Sequence, residues 1–216
     1  MQSIYFVDSN FTYESSKKSI LSIRYATDGF SFCVHDETEK LVVFVHEPYA
    51  ADSREAVVAK LKNYVVNDTI LNLRFKKVYI MPCFKEKLLV PGAFFDKANI
   101  ATLYTVNQEV ATDDTILYHH IEVIEAYLVE TVISSFNDFV RDHFPVVQIV
   151  NGAYPFILGA MAKALRDTEQ IFLDIQDNYF DLLFIRASGI QLFNTFSYKA
   201  MTDIVYFLLN CIKECG

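Results

Sequence analysis

Few side chains in this 216-residue chain are spaced for chemistry, and most of those that are lie in two hairpin-like segments. Asp174, Asp177 and Asp181 fall close together in one of them, and several carboxylates converging on two divalent cations are what a metal-dependent nuclease requires. The other, around Thr27-Asp28-Gly29, carries Arg24 on its first strand, so no second carboxylate completes such a set. His119 and His120 are adjacent on a predicted strand and point to opposite faces, which prevents both from ligating one metal. Cys211 and Cys215 are four apart on a predicted helix, but zinc needs two further ligands, and no Cys/His pair with finger spacing supplies them. Gly-x-Ser-x-Gly, the Walker A loop and Gly-x-Gly-x-x-Gly are all missing.

Composition narrows the classes further. Hydrophobic residues make up 52% and charged residues 21%, which describes a globular chain with enough length for a proper core. Nineteen Lys and Arg against 27 Asp and Glu give a net charge of −8, which argues against nucleic acid or an anionic membrane as a partner. The first eighteen residues are polar and mixed, with no apolar run to act as a signal peptide, and no segment is apolar for long enough to span a bilayer. Four cysteines in mostly apolar surroundings then read as reduced thiols of a cytoplasmic protein. The 19 Phe and 13 Tyr fall largely on predicted strand and helix faces; Phe94-Phe95 and Tyr154-Pro155-Phe156 are candidates for an exposed partner patch.

The elements that must carry these residues alternate between strand and helix periods. Residues 19–26 and 29–35 are strands joined at Asp28-Gly29, a strong hairpin signal. A third strand spans 41–46, and Asp52 is placed to cap a helix carrying Val57, Val58, Leu61, Tyr64 and Val65. Short strands are expected at 77–81 and 88–90, and a helix capped by Asp96 running to about Gln108. A strand pair follows at 115–121 and 126–133, then a helix at 134–143, a strand at 146–150 and a helix from about Ala153 to Arg166.

From Gln170 the opening pattern returns. At a spacing of 150 residues Leu21, Ile23 and Tyr25 fall on Ile171, Leu173 and Ile175, while Phe30, Phe32 and Val34 fall on Phe180, Leu182 and Phe184. Both copies keep the same alternate face apolar, as a sheet with one face against helices requires. The helix after the third strand repeats as well, with Met201, Ile204, Val205, Leu208 and Ile212 at helical spacing. Three antiparallel strands followed by helix, strand, helix and strand is the ribonuclease H-like unit, and two such units make the actin-like ATPase architecture. The expected fold is therefore α/β with duplicated ribonuclease H-like lobes. The first lobe covers 1–166 with inserted strands and helices; the second starts at 167–216, is incomplete, and is expected to continue beyond Gly216.

Several of these residues carry a resemblance. Leu21-Ser22-Ile23-Arg24 with Asp28-Gly29-Phe30-Ser31-Phe32-Cys33, then Leu89-Val90-Pro91 with Phe94-Phe95-Asp96, and finally Phe139 to Pro145 resemble the bacterial domain-of-unknown-function family numbered 3822. That resemblance implies an actin-like, PilM-like fold in a bacterial cytoplasmic protein, and it implies no activity.

Actin-like ATPases hold phosphates in their two hairpin turns, with an aspartate on each first strand in the pattern Asp-x-Gly-[Ser/Thr]. Here Arg24 occupies the first aspartate position, followed by Ala26-Thr27; an arginine is neither a base nor a ligand for a hard cation. In the second copy Asp174 stands in place, but Gln176-Asp177 replaces the glycine and hydroxyl, and Asp177 would set a negative charge against a phosphate. The turn residues Asp177 and Asn178, with Asp181, read as solvated. Arg24, Thr27, Asp28, Asp174, Gln176, Asp177 and Asn178 are thus the candidates for an interlobe cleft, where Arg24 and Asp174 either pair across the pseudo-twofold or each face solvent. The expected function is a non-catalytic scaffold or interaction module with no cofactor, taking a protein partner or a second copy; ATP with Mg²⁺ belongs to the alternative, an ATP-binding protein or weak ATPase with an altered loop around Asp174.

Overall fold

The computed structural model describes residues 2–165 and 168–215. The elements in chain order are β1 (Ile4–Val7), α1 (Tyr13–Ser16), β2 (Ile20–Ala26), β3 (Gly29–His35), β4 (Leu41–Pro48), α2 (Arg54–Asn67), β5 (Lys77–Pro82) and β6 (Lys87–Pro91). They continue with α3 (Ile100–Asn107), β7 (Asp114–Ile121), β8 (Ala126–Ile133), α4 (Ser134–His143), β9 (Val147–Ile149) and α5 (Ala153–Lys163). The last four are β10 (Gln170–Ile175), β11 (Tyr179–Arg186), β12 (Gly189–Ser197) and α6 (Met201–Cys215).

The chain forms two compact units. One comprises Met1–Phe84, Ala111–Thr115 and Val132–Gly152; the other comprises Lys85–Val110, Ile116–Thr131 and Ala153–Gly216. The boundary expected at 166/167 lies outside the described residues, as does the expected end of a helix at Arg166; α5 ends at Lys163. The segments 85–110 and 116–131 and helix α5 group with the later strands rather than with the first sheet. The physical reason is shared core: Ile121, Leu128, Ala153 and Ile157 bury against Leu183 and Ile185 of β11.

In the first unit six strands lie in the order β1-β4-β3-β2-β5-β9. β2, β3 and β4 pair antiparallel, and β5 runs parallel to β2 and β9 parallel to β5. This is the ribonuclease H-like arrangement with β1 added at one edge. Alternation puts Leu21, Ile23, Tyr25, Phe30, Phe32 and Val34 on one buried face. Helices α2 and α4 cover it: Phe30 meets Tyr64 edge-on at 4.4 Å, and Tyr25 meets Phe136 at 5.2 Å. The opposite face, with Ser22, Arg24, Ser31 and Cys33, is half-buried.

In the second unit β10, β11 and β12 form an antiparallel sheet whose Phe180, Leu182 and Phe184 pack on Ile204 of α6. Here the second face is covered too, by α5 and by the sheet β6-β8-β7, so β11 is buried along nearly its whole length. The sequence expectation of one covered face holds for the first copy and not for the second.

Three local expectations shift. Helix α2 is capped by Ser53, whose side chain accepts from Ala56 N–H, and not by Asp52. Asp96 organises a turn, accepting from Ala98 N–H at 2.9 Å and from Asn99 Nδ2 at 2.6 Å, and α3 begins only at Ile100. The N-terminal segment holds strand β1, which exposes Ile4, Tyr5 and Phe6 and forms by pairing along β4.

Candidate functional site

The first candidate cluster is the β2–β3 turn. Gly29 has φ +149°, and a Cβ there would lie 2.6 Å from the Glu47 carbonyl oxygen, so the turn closes tightly only with glycine. The carbonyls of Thr27 and Asp28 accept from Ala51 and Tyr49 N–H at 3.0 and 3.1 Å, anchoring the turn to the segment after β4. Arg24 Nη1 lies 3.6 Å from Asp28 Oδ1, and the two side chains are both mostly buried. The Tyr49 hydroxyl is buried beside them; burial, and then the Asp28 charge, push its pKa upward against the pull of Arg24. Arg24, Thr27 and Asp28 thus meet in one turn, with Tyr49 as a fourth member.

The second cluster is the β10–β11 turn. Asp174 and Gln176 are half-buried, while Asp177 and Asn178 are exposed. Gln176 N–H donates to the Tyr179 carbonyl at 2.9 Å, and the Tyr198 hydroxyl donates to the Gln176 carbonyl at 2.5 Å. Tyr198 N–H donates to the Asn178 carbonyl at 3.0 Å. A cavity of about 580 Å³ opens beside this turn, with Lys85, Lys199 and Asn178 in its wall.

Asp181 corrects the expectation of a solvated residue: it is 2% exposed. Its partner on β10 is Asp174, so two like charges face each other in register. Lys87, buried at the start of β6, lies 2.8 Å from Asp181 Oδ1, and Thr195 Oγ1 donates to the same oxygen at 2.6 Å. The Lys87 ammonium also sits 4.8 Å from the Tyr179 ring centre. Burial pushes the Asp181 carboxyl up, and Lys87 and Thr195 pull it back down. Glu130, the cross-strand neighbour of Lys87, is buried as well, with His119 Nε2 4.0 Å from its carboxylate.

Among the described residues no three His, Cys, Asp or Glu side chains gather as a metal site requires. His119 and His120 do face different ways, towards Glu130 and Glu125 respectively. Cys211 packs in the α6 core, and the Cys215 side chain lies outside the described residues. No helix among the described residues is long and apolar enough to cross a membrane.

The sequence profile of the protein-of-unknown-function family DUF3822 matches residues 8–216. This chain belongs to that family. A Bacteroides thetaiotaomicron protein with actin-like ATPase fold and unknown function is similar at TM-score 0.85 and 22% identity, over 94% of this chain and 79% of that one. The DUF3822 chain therefore has the actin-like ATPase fold. A PilM–PilN type IV pilus biogenesis complex is similar at TM-score 0.45 and 11% identity, over 82% of this chain and 61% of that one. An Aquifex aeolicus member of the Ppx/GppA family gives TM-score 0.38 at 11% identity, over 83% and 51%. The chain thus spans only 51–61% of these two. No curated protein matches it.

Sequence reasoning about this DUF3822 chain missed Lys87, Tyr49 and Tyr198. For Lys87 a signal was present: the two-residue period sets it on the face of Leu89, which packs against the α5 core, so its ammonium also points inward. The same period sets Asp181 with Leu183 and Ile185. Tyr49 and Tyr198 each follow the third strand of a copy, and only the closed turns bring them to the hairpins.

Proposed function

We propose that this DUF3822 protein is a non-catalytic actin-like-fold protein that serves as a scaffold or interaction module in the bacterial cytoplasm, its two phosphate loops degenerate. The observation that carries this reading is Arg24, which takes the first-strand aspartate position and is paired with Asp28 inside its own turn at 3.6 Å. A guanidinium cannot take a proton from water or ligate Mg²⁺. The second turn supports the same reading, because Tyr198 bonds into it and Asp177 adds negative charge where an anion would sit. Such a protein takes a protein partner or a second copy, needs no cofactor and binds no nucleic acid.

The test is a thermal melt with and without millimolar ATP and Mg²⁺. The expected result is an unchanged melting temperature. Ligand at about 100 times its dissociation constant would add roughly 2.7 kcal/mol, a rise of about 5–10 °C for a chain of this size. Such a rise, lost on Asp174→Ala, would instead establish the second reading, an ATP-binding protein or weak ATPase. Asp174 together with the lysine-flanked cavity beside Asn178 is what favours that alternative.

A further inference from the structure

Strand β12 ends its sheet: the order is β10-β11-β12, and no described strand pairs along its outer edge. An open edge presents a row of unpaired N–H and C=O groups, and proteins guard one that must stay free with charges, proline or a short length. β12 has none of these guards, running nine residues, Gly189–Ser197, without a charge or a proline. Beside its first half lies a cavity of about 570 Å³ walled by Leu89, Ile124, Met161, Ile190 and Phe193.

The duplication shows what such an edge takes. In the first copy the matching strand, β4, is covered by β1, antiparallel, with Ile4, Tyr5, Phe6 and Val7 opposite His46, Val45, Phe44 and Val43. The β3–β4 and β11–β12 registers carry those four positions of β4 onto Thr195, Asn194, Phe193 and Leu192. No counterpart of β1 precedes β10, because the element there is helix α5, which buries Ala153 and Ile157 against Leu183 and Ile185 on the face of the sheet. The later strands of the first copy, β5 and β9, add beyond β2, which corresponds to the β10 side. The plan of the lobe leaves the β12 edge to a chain from elsewhere.

We propose that the outer edge of β12 binds an extended segment of a partner protein as an antiparallel fourth strand, with large apolar side chains at alternate positions entering the cavity. This gives a chemistry to the partner of the interaction module proposed above, and rests on that reading only for there being a partner. An added strand lies about 4.8 Å beyond β12. Residues placed as Ile4 and Phe6 are on β1 would stand opposite Thr195 and Phe193, on the face where Leu183 and Ile185 are buried and the cavity opens. On the first sheet the corresponding face leaves Ile4 and Phe6 50% and 46% exposed. In this mode of recognition main-chain bonds supply affinity, and sockets for alternate side chains supply specificity. A second copy is a poorer occupant, because Ile190 and Phe193 of its own β12 are already packed in its own core and cannot enter the cavity of another.

Amide hydrogen exchange of the full chain tests this, with a synthetic peptide of the sequence of residues 2–8, the β1 segment, as the probe. At about 400 µM peptide the β12 amides should exchange about fivefold more slowly, the factor expected for a dissociation constant of about 100 µM. Serine in place of the peptide's phenylalanine should weaken binding at least tenfold. So should Met161→Glu and, separately, Ile124→Lys in the cavity wall, each with an unchanged circular-dichroism spectrum; two variants guard against one that fails to fold. No slowing at β12 up to about 1 mM peptide overturns the proposal, as does slowing that survives the serine peptide and both cavity variants. Slowing confined to β4, where the probe replaces β1, overturns it too. β12 amides that slow with protein concentration alone assign the edge to a second copy and equally overturn it. None of these readouts involves nucleotide, so the proposed function stands or falls separately on the ATP melt.

Discussion

Lys87→Met removes the cation from a carboxylate that burial has already disfavoured. Asp181 is 2% exposed, with Lys87 Nζ at 2.8 Å and Asp174 opposite it in the sheet. Methionine fills the lysine stem's volume, so packing is kept and the charge alone is lost. Breaking a buried pair by removing one partner costs about 3–5 kcal/mol. For a chain of this length that is a fall in melting temperature of roughly 6–20 °C. The loss should depend on pH in a defined direction. Asp181 already titrates above its ordinary value, and without Lys87 it moves further up. The folded variant then holds a proton that the unfolded chain releases, so stability is fullest below the unfolded carboxyl pKa and falls by about 1.4 kcal/mol per pH unit until the folded pKa is passed. Urea unfolding at pH 5 and pH 7.5 should therefore show the larger deficit at pH 7.5. The double variant Lys87→Met/Asp181→Leu should recover most of it, because no buried carboxylate remains at that position. A deficit below about 1 kcal/mol at pH 7.5, the range of an exposed pair, would refute the reasoning. So would an equal deficit at both pH values.

Three further outcomes follow from single contacts. Gly152→Ala would drive its new Cβ into Cys83 Sγ, so it should destabilise by about 1–3 kcal/mol, and Cys83→Ala should relieve most of that in a double-mutant cycle read by urea midpoint. Arg54 binds the buried Asp114 carboxylate through both terminal nitrogens, at 3.0 and 3.3 Å; Arg54→Ala should cost about 2–4 kcal/mol by the same assay, and Arg54→Lys should restore less than half because it lacks the fork. Burial holds the His119 pKa below 6.5, so the unfolded chain takes up a proton that the folded one refuses as pH falls below that value. His119→Asn should then lessen the loss of stability between pH 7.5 and 5.5 by about 1 kcal/mol.

The duplication was legible because its signals are local: a two-residue period, an Asp-Gly turn and a following helical stripe. Structure adds what those signals do not carry. Ile20↔His35 through Tyr25↔Phe30 in β2–β3 recur as Gln170↔Ile185 through Ile175↔Phe180 in β10–β11, at the same spacing. Even the irregularity repeats, between Val34 and His35 and again between Phe184 and Ile185. Strand β1 was not legible, since its four residues, three exposed and one half-buried, gain their order from the edge of β4 and leave no period of their own.

The charged pairs of the two copies diverge for a reason that no single strand reveals. In register, Arg24 stands opposite Ser31, and Asp174 opposite Asp181. On the first sheet that face is half-buried, and Arg24 lies beside Asp28 of its own turn. On the second sheet the same face is sealed by β6-β8-β7 and α5, and a carboxylate there must draw its cation from whatever covers it. Lys87 arrives on the inserted sheet that does the covering. The sign of the charge at each position can be read from the sequence; whether it must be neutralised depends on coverage, which is set by chain segments nearly a hundred residues away. Asp174 is thus, in this second unit, bound up with how the unit is packed, and Asp174→Ala should be judged on stability as well as on nucleotide. If it raises stability by relieving the like-charge pair with Asp181, packing does not account for a carboxylate at that position; if it lowers stability, packing suffices.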